Sequence, residues 1–260
     1  MGISDLIPGV SGGTIAVVLG IYDRLLEAIS GFFSREWKRH IGFLVPLAFG
    51  MGTAILALSR VIKYFLEYHY EPTQFFFIGL IAGVLPYIFK QSDAMRTFGS
   101  RHVVVLIIAG ALVASMAFIR TNGTAEPITD LTVPVLIGLF FSGWLASMAM
   151  LLPGISGSFI LLVLGVYSTA IHALSELNLT LIATIGAGVI IGFIISSKVI
   201  RYLLAHFPVM TYAVIIGMII GSVAVVFPGI PEDLTTIVIS VVTCVAGLVL
   251  ALFFGSKAKD

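Results

Sequence analysis

Charge is scarce in this sequence. Only 10% of its 260 residues are charged and the formal net charge is +1, whereas a soluble domain carries about 25% charged residues. Without a basic surplus, nothing in the composition recruits nucleic acid. The single cysteine, Cys244, excludes an intrachain disulfide. The five histidines are scattered, and none pairs with Cys or Glu at metal-ligand spacing, so we predict neither a metal site nor a cofactor.

Apolar residues, by contrast, make up 59% of the chain. Apolar runs near 20 residues recur along its whole length, which is typical of membrane helices. We therefore predict an all-α polytopic membrane protein that forms one membrane domain over 1–260. Two apolar segments, 1–32 and 132–174, are broken by Pro and Gly and fit re-entrant helical hairpins, with full crossing as the alternative. Six uninterrupted spans are predicted at about 43–66, 73–90, 103–120, 181–204, 209–227 and 235–254.

The chain repeats itself, which is a feature to seek before any local motif. LIPGVSGGTIAVVLGIY (6–22) and LLPGISGSFILLVLGVY (151–167) are identical at ten of seventeen positions, and SRVIKYFL (59–66) matches SKVIRYLL (197–204). Two repeats follow, about 1–120 and about 132–254, each a Pro/Gly-broken hairpin plus three transmembrane helices. Three is odd, so the second repeat must enter the membrane upside down, as in many transporters. The first copy lacks most of the leg before its motif, so either it is degenerate or Met1 lies inside a longer product.

Loop charges give an orientation. Under the inverted-repeat topology, the loops after 32, 90 and 204 and the C-terminus share one side, and most of the basic loop residues lie there. Because basic loops stay in the cytoplasm, we expect a cytoplasmic C-terminus. The residues on that side are Arg35, Lys38, Arg39, Lys90, Arg96, Arg101, Lys257 and Lys259.

The two Pro-Gly breaks are the best candidates for a binding site. Leu152 should end one helix, because the residue before a proline avoids helical geometry, and Ser11 and Ser156 are suitable N-caps for the helices that follow. Free N–H groups at such helix starts bind anions, phosphate above all. The alternative is a kink that only lets helices pack. The predicted phosphate-binding residues are Ser11, Gly12, Gly13 and Thr14 in the first copy and Ser156, Gly157 and Ser158 in the second.

Charged residues supply further candidates. Arg60 and Lys63 lie three apart on one helix face, with Lys198 and Arg201 at the matching places in the other half. They suit a phosphate picked up on one side and released on the other, although such side chains also extend to lipid headgroups. Asp5 precedes the first break and is the candidate for carrying a coupling proton; the alternative is that it lies close to water. Tyr22 and Tyr167 are predicted to be interface anchors.

The strings DLIPGVSGGTIAVVLGIYDRL and MLLPGISGSFILLVLGVY resemble the two signatures of the bacterial PopT-type polyprenyl-phosphate transporters. The resemblance implies a flippase in the bacterial cytoplasmic (inner) membrane that returns undecaprenyl phosphate from the outer to the cytoplasmic leaflet for cell-envelope synthesis. It implies an anionic polyprenyl-phosphate lipid as partner within the bilayer. The sequence leaves open whether H⁺ or Na⁺ serves as a coupling ion and which oligomeric state the protein adopts. By motif it points to Asp5, Pro8, Gly9, Ser11, Gly12, Gly13, Thr14, Pro153, Gly154, Ser156, Gly157 and Ser158.

Two other functions compete with this one. A carrier or channel for a small inorganic anion would use the same helix starts. A membrane enzyme similar to undecaprenyl-pyrophosphate phosphatases would also contain a Pro-Gly-x-Ser motif, but theirs continues with arginine, where this chain has Gly12 and Gly157. Hydrolysis needs a nucleophile served by a base, and the sequence assembles none, so we predict that the protein is not an enzyme.

Overall fold

The computed structural model describes residues 1–2, 11–32, 34–119, 127–128 and 131–257, and in these ranges it contains helices and no strand. The helices of the first half are α1 (Gly12–Val18), α2 (Tyr22–Ser30), α3 (Trp37–Tyr68), α4 (Tyr70–Gln91), α5 (Ala94–Thr97) and α6 (Ser100–Ser115), extended by a 3₁₀ turn, Met116–Phe118. Those of the second half are α7 (Val133–Leu151), α8 (Gly157–Val163), α9 (Tyr167–Ser175), α10 (Leu179–His206), α11 (Pro208–Val226) and α12 (Leu234–Lys257).

Within the described residues, seven helices are long and apolar enough to cross a membrane. Six of them confirm the predicted uninterrupted spans, and the seventh, α7, is the leading leg of the second broken segment. The predicted end of that leg is also confirmed, because α7 stops at Leu151 with Leu152 in an extended conformation. The short helices α8 and α9 follow and are bent by 112° at their junction. The protein is therefore a multi-pass membrane protein.

Three pairs of long helices form the body of the molecule: α4 packs along α12, α6 along α11, and α7 along α10. Each contact is made where a glycine lets two backbones approach, as is common between membrane helices. Gly79 of α4 lies on the Cys244 carbonyl of α12, Gly217 of α11 on the Leu106 carbonyl of α6, and Gly188 of α10 on the Phe140 carbonyl of α7. A side chain at any of these positions would push the paired helices apart.

The main hydrophobic core lies where the first short helices meet the long ones. Leu26 of α2, Ile88 of α4, and Ile216 and Ile219 of α11 are fully buried there. This core holds α1 and α2 inside the bundle. Many large apolar side chains remain on the outside, as a lipid-facing surface requires; Phe49, Leu56, Ile107 and Val242 are at least 60% exposed.

Candidate functional site

Described residues of the two Pro-Gly segments, which are offset by 145 residues in the sequence, contact each other in the structure. We call this region the crossing (residues 11–14, Tyr22 and 151–158). The Ser11 hydroxyl donates to the Leu152 carbonyl oxygen at 3.3 Å, and the Tyr22 hydroxyl donates to the Leu151 carbonyl oxygen at 2.9 Å. The Gly154 amide donates to Thr14 Oγ1 at 2.9 Å. The first motif thus binds the backbone of the second through three side chains.

These hydrogen bonds have a clear physical cause. The last carbonyl groups of α7 have no partner within their own helix, and unpaired backbone groups inside a membrane are costly. Ser11 and Tyr22 satisfy two such carbonyls, and Thr14 satisfies an amide in the turn that follows. Thr14 is 2% exposed and Ser11 2%, so water does not compete for these groups.

The turn at Gly154 also packs closely against the backbone of α11. Gly154 has a positive φ of 92°, and a Cβ built there would lie 2.5 Å from the Met218 carbonyl oxygen of α11. Gly13 would place a Cβ 3.0 Å from the Met150 carbonyl oxygen. Glycine is therefore favoured at position 154 by both packing and conformation, and at position 13 by packing alone.

The start of α8 keeps more of its hydrogen-bonding capacity free. Ser156 occupies the N-cap position, but its hydroxyl contacts the Ser158 hydroxyl at 2.8 Å instead of capping the helix. No hydrogen bond from a described residue engages the amide groups of Gly157, Ser158 and Phe159. At α1, in contrast, Ser11 Oγ accepts a hydrogen bond from the Gly13 amide at 3.1 Å. Among the described residues, the start of α8 therefore keeps three unengaged amide groups and the start of α1 keeps two, those of Gly12 and Thr14.

Two cavities adjoin the crossing. An apolar cavity of about 270 Å³ reaches Gly12 and is walled by side chains of α2, α3, α7 and α10, among them Leu25, Leu47, Met150 and Phe193. A much smaller cavity, about 20 Å³, lies beside Tyr22 and is lined by polar groups of Asp23, Tyr87, Gln91 and Tyr212. The described residues that line the apolar cavity are nonpolar, which suits hydrocarbon.

The predicted basic residues do not lie at the crossing in this conformation. The four residues Arg60, Lys63, Lys198 and Arg201 are all exposed. Arg201 Nη1 donates a hydrogen bond to Ser30 Oγ of α2 at 2.6 Å. The only ion pair between described residues is Arg39 with Glu36, at 3.6 Å. The four cations are thus unneutralised by any described carboxylate. Asp5, Pro8 and Gly9 lie outside the described residues.

Tyr22 lies inside the protein and not at its surface. It was predicted to be an interface anchor, which is wrong, because it is 7% exposed and bonded to the Leu151 carbonyl. The signal was available in the repeat, since a tyrosine at the same place in both motifs is as compatible with a shared internal contact as with an interface. Tyr167, its counterpart, is half-buried.

The crossing contains no nucleophile paired with a base. Among the described residues, its hydroxyl groups bond to backbone or to each other. The two glutamates that stand four residues apart, Glu67 and Glu71, do not form a pair on one helix, because they lie on α3 and α4, on either side of the break at His69. The site geometry therefore suits binding without covalent chemistry.

The chain is similar to known proteins over most of its length. Residues 1–240 match the family described as VCA0040-like, undecaprenyl phosphate translocase-like. The chain is 44% identical to a polyprenyl-phosphate transporter of Staphylococcus aureus, over 98% of this chain and 93% of that protein. It is 34% identical to a polyprenyl-phosphate transporter of Vibrio cholerae, over 88% of this chain and 75% of that protein. No solved structure matches the chain.

Proposed function

Because the chain belongs to the undecaprenyl phosphate translocase-like family of transporters, we propose that it is a flippase that returns undecaprenyl phosphate from the outer to the cytoplasmic leaflet of the bacterial cytoplasmic membrane. The polyprenyl-phosphate cargo of its relatives supplies the substrate class. One structural observation favours a lipid over a free anion: the apolar cavity that reaches the helix start at Gly12. A site for inorganic phosphate alone would not need a hydrocarbon-sized space beside it.

The phosphate headgroup binds at the crossing in this proposal. Burying its charge in hydrocarbon without partners is very costly. The amide groups of Gly157 and Ser158 are unengaged by described residues, and the Ser156 and Ser158 hydroxyl groups, which bond to each other, leave one O–H free to donate. The helix α8 has only seven residues, so these individual donors matter more than a helix dipole. Gly12, Gly13 and Thr14 then shape the opposite wall of the site.

The polyprenyl tail stays in apolar surroundings while the headgroup moves. The cavity beside Gly12 is walled on one side by α3, which is largely exposed to the bilayer. A chain bound there can extend sideways into lipid, so the protein solvates only the charged end. This division explains how one small polar site can serve a very long lipid.

We also propose that the protein consists of two inverted repeats, about 1–120 and about 132–254. Each repeat is a re-entrant hairpin followed by three transmembrane helices. In its support, the long helices pair across the two halves: α4 of the first packs on α12 of the second, and α6 of the first on α11 of the second. A symmetric exchange of this kind is expected of repeats that rock against each other about a central site.

In this proposal, the basic residues bind the headgroup on each side of the membrane, and Asp5 couples transport to an ion. Arg60 and Lys63 attract the headgroup on the outer side, and Lys198 and Arg201 receive it on the cytoplasmic side, where the C-terminus also lies. Their exposure supports this, and so does the absence of an ion pair with any described carboxylate, since such cations keep their donors for a ligand. Asp5 is the proposed carrier of a coupling proton, with Na⁺ as the alternative ion.

The test is the exposure of undecaprenyl phosphate on the cell surface, measured with an externally added probe for the phosphate headgroup, in a strain stripped of other recycling carriers. Depletion of the protein should raise the exposed lipid, and wild type should reverse the rise, whereas Arg60→Ala should not. Arg39→Ala, which removes an exposed arginine on the opposite end of α3, is the matched control and should behave as wild type. No change on depletion would reject the lipid cargo and favour transport of inorganic phosphate, which uptake of labelled phosphate into proteoliposomes would then reveal.

A further inference from the structure

Contacts between the long helices occur twice, with the two halves of the chain exchanged. Gly79 of α4 lies on the Cys244 carbonyl of α12, and Gly217 of α11 lies on the Leu106 carbonyl of α6. At the offset that aligns SRVIKYFL (59–66) with SKVIRYLL (197–204), Gly79 corresponds to Gly217 and Leu106 to Cys244. Each half therefore makes the same contact with the other, and a contact that only one half makes is an asymmetry of this conformation.

Helix α2, which belongs to the first half, is docked on helices of the second half. It packs against α10. Its Leu26 is fully buried, in the core that also contains Ile200 of α10 and Ile215 of α11. At this end of the bundle, α2 therefore joins the two halves through its apolar face.

Helix α9 is the counterpart of α2, but it packs within its own half. Its described core neighbours include Leu139 of α7 and Leu181 of α10. At the offset of the Pro-Gly motifs, Ile171 of α9 corresponds to Leu26, yet Ile171 is 48% exposed and Leu26 is 0% exposed. Leu174, on the same face of α9 by helical spacing, is 61% exposed. The described residues of the first half thus leave the apolar face of α9 exposed.

The first half has a space where α9 would dock if it were placed as α2 is. Ile62 of α3 and Phe77 of α4 correspond to Ile200 and Ile215, the core partners of α2. A largely apolar cavity of about 470 Å³ opens beside Ile62 and Phe77, between α3, α4 and α12. Ile62 is only half-buried, whereas Ile200 is buried. The cavity is large enough for the aliphatic side chains that α9 exposes.

Two unpaired polar atoms indicate the same movement. Ser168 Oγ of α9 and Gln74 Oε1 of α4 are buried and have no hydrogen-bond partner among the described residues. Their counterparts are Asp23 and Tyr212, which line one small cavity at the end where α2 is docked. Burying a polar group without a partner is costly. A movement that brings the Ser168 hydroxyl to Gln74 Oε1 would satisfy both atoms.

We propose that the protein has a second conformation, in which α9 closes onto α3 and α4 as α2 is closed onto α10 and α11 here. Ile171 then fills the space beside Ile62 and Phe77, and the Ser168 hydroxyl donates to Gln74 Oε1. Release of α2 accompanies this closure, so that the crossing opens to the two ends of the bundle in turn. The inference rests on the pair of repeats in the proposed function, and it holds whichever anion the protein carries.

Crosslinking of paired cysteines in the full chain tests this closure, in a Cys244→Ser background. Ser168→Cys with Leu66→Cys reports docking of α9, and Asp23→Cys with Leu204→Cys reports docking of α2. The pairs are matched, because Asp23 and Leu204 line one small cavity and are the counterparts of Ser168 and Leu66. A short bifunctional thiol reagent is applied in proteoliposomes without polyprenyl phosphate, so the result does not depend on transport.

Leu26→Ala should shift the protein towards the second conformation. It removes the buried side chain that holds α2, so crosslinking of the α9 pair should become at least about tenfold faster. Crosslinking of the α2 pair should slow at the same time. Val113→Ala, a truncation in a separate buried cluster, is the control and should change neither rate.

Ile171→Ala provides a second variant that should fold normally, because Ile171 is about half exposed here. It should slow crosslinking of the α9 pair about tenfold, since the apolar group that docks is lost, and it should not slow the α2 pair. Ile137→Ala, at a residue of α7 that is 53% exposed, is its control.

Two results would overturn the proposal. One is that the α2 pair reacts while the α9 pair gives no crosslinked product, with or without Leu26→Ala. The other is that Ile171→Ala slows the α9 pair no more than Ile137→Ala does. The expected crosslinking in a protein that fails to transport undecaprenyl phosphate would support the closure and reject only the proposed cargo.

Discussion

The two Pro-Gly segments share ten of seventeen residues but use their polar groups differently. In the first, Ser11, Thr14 and Tyr22 bond to the backbone of the second. In the second, Ser156 and Ser158 bond only to each other. The difference has its origin in the sequence, because the second segment has Phe159 at the position that corresponds to Thr14 and Ser158 at the position that corresponds to Gly13. Within the described residues, the side chains of the first copy therefore bond across to the second, whereas the two serine side chains of the second do not bond back to the first.

The largest loss of stability is expected at Gly154, in the turn of the second segment that bonds to Thr14 of the first. Gly154→Ala should destabilise the protein by about 3 kcal/mol or more, because it adds strain at a positive φ and a clash with the Met218 carbonyl. Thermal unfolding in detergent measures the effect. Gly165→Ala is the matched control, since its φ is also positive, 72°, but its surroundings are open. If both variants lost the same stability, strain alone would account for Gly154 and the close approach of α11 would be irrelevant.

A smaller loss is expected from the first segment itself. Thr14→Val keeps the shape of the side chain but leaves the buried Gly154 amide without an acceptor, which should cost about 1–3 kcal/mol. Thr14→Ser keeps the hydroxyl group and should lose much less. The same unfolding measurement decides the point, and an equal loss in the two variants would assign the effect to the methyl group instead of the hydrogen bond.

Tyr22 should matter less than Thr14. Tyr22→Phe removes the donor to the Leu151 carbonyl, and a carbonyl group tolerates the loss of one partner better than an amide does, so about 1 kcal/mol is expected. Tyr167→Phe is the control in the second segment, where no hydrogen bond to a described residue is lost, and it should change stability by less than about 0.5 kcal/mol. A larger effect at Tyr167 than at Tyr22 would contradict the proposed division between the segments.

The sequence predicted the spans and the paired motifs well, because both depend on local signals. Apolar length gives a membrane helix, and Pro153 after Leu152 ends α7 where expected. The contacts at the crossing could not be predicted, since nothing local shows that Thr14 meets Gly154 across 140 residues. The same limit applies to Arg60 and Lys63. Their spacing places them on one helix face, but the direction of that face depends on how α3 sits in the bundle.

In the second segment, Ser156→Ala should have the smallest effect on stability of these variants. Its effect on transport should be much larger than its effect on stability. Ser156→Ala removes a hydroxyl group whose only described side-chain partner is Ser158, so stability should fall by less than about 1 kcal/mol. Transport of undecaprenyl phosphate in proteoliposomes should nevertheless fall about tenfold, because a hydrogen bond to a charged group contributes about 1.5–3 kcal/mol. Ser175→Ala, which removes an exposed hydroxyl bonded within α9, should change neither quantity. If Ser156→Ala reduced stability and transport together, Ser156 would be a structural residue like Ser11. If it changed neither, the phosphate would have to bind elsewhere.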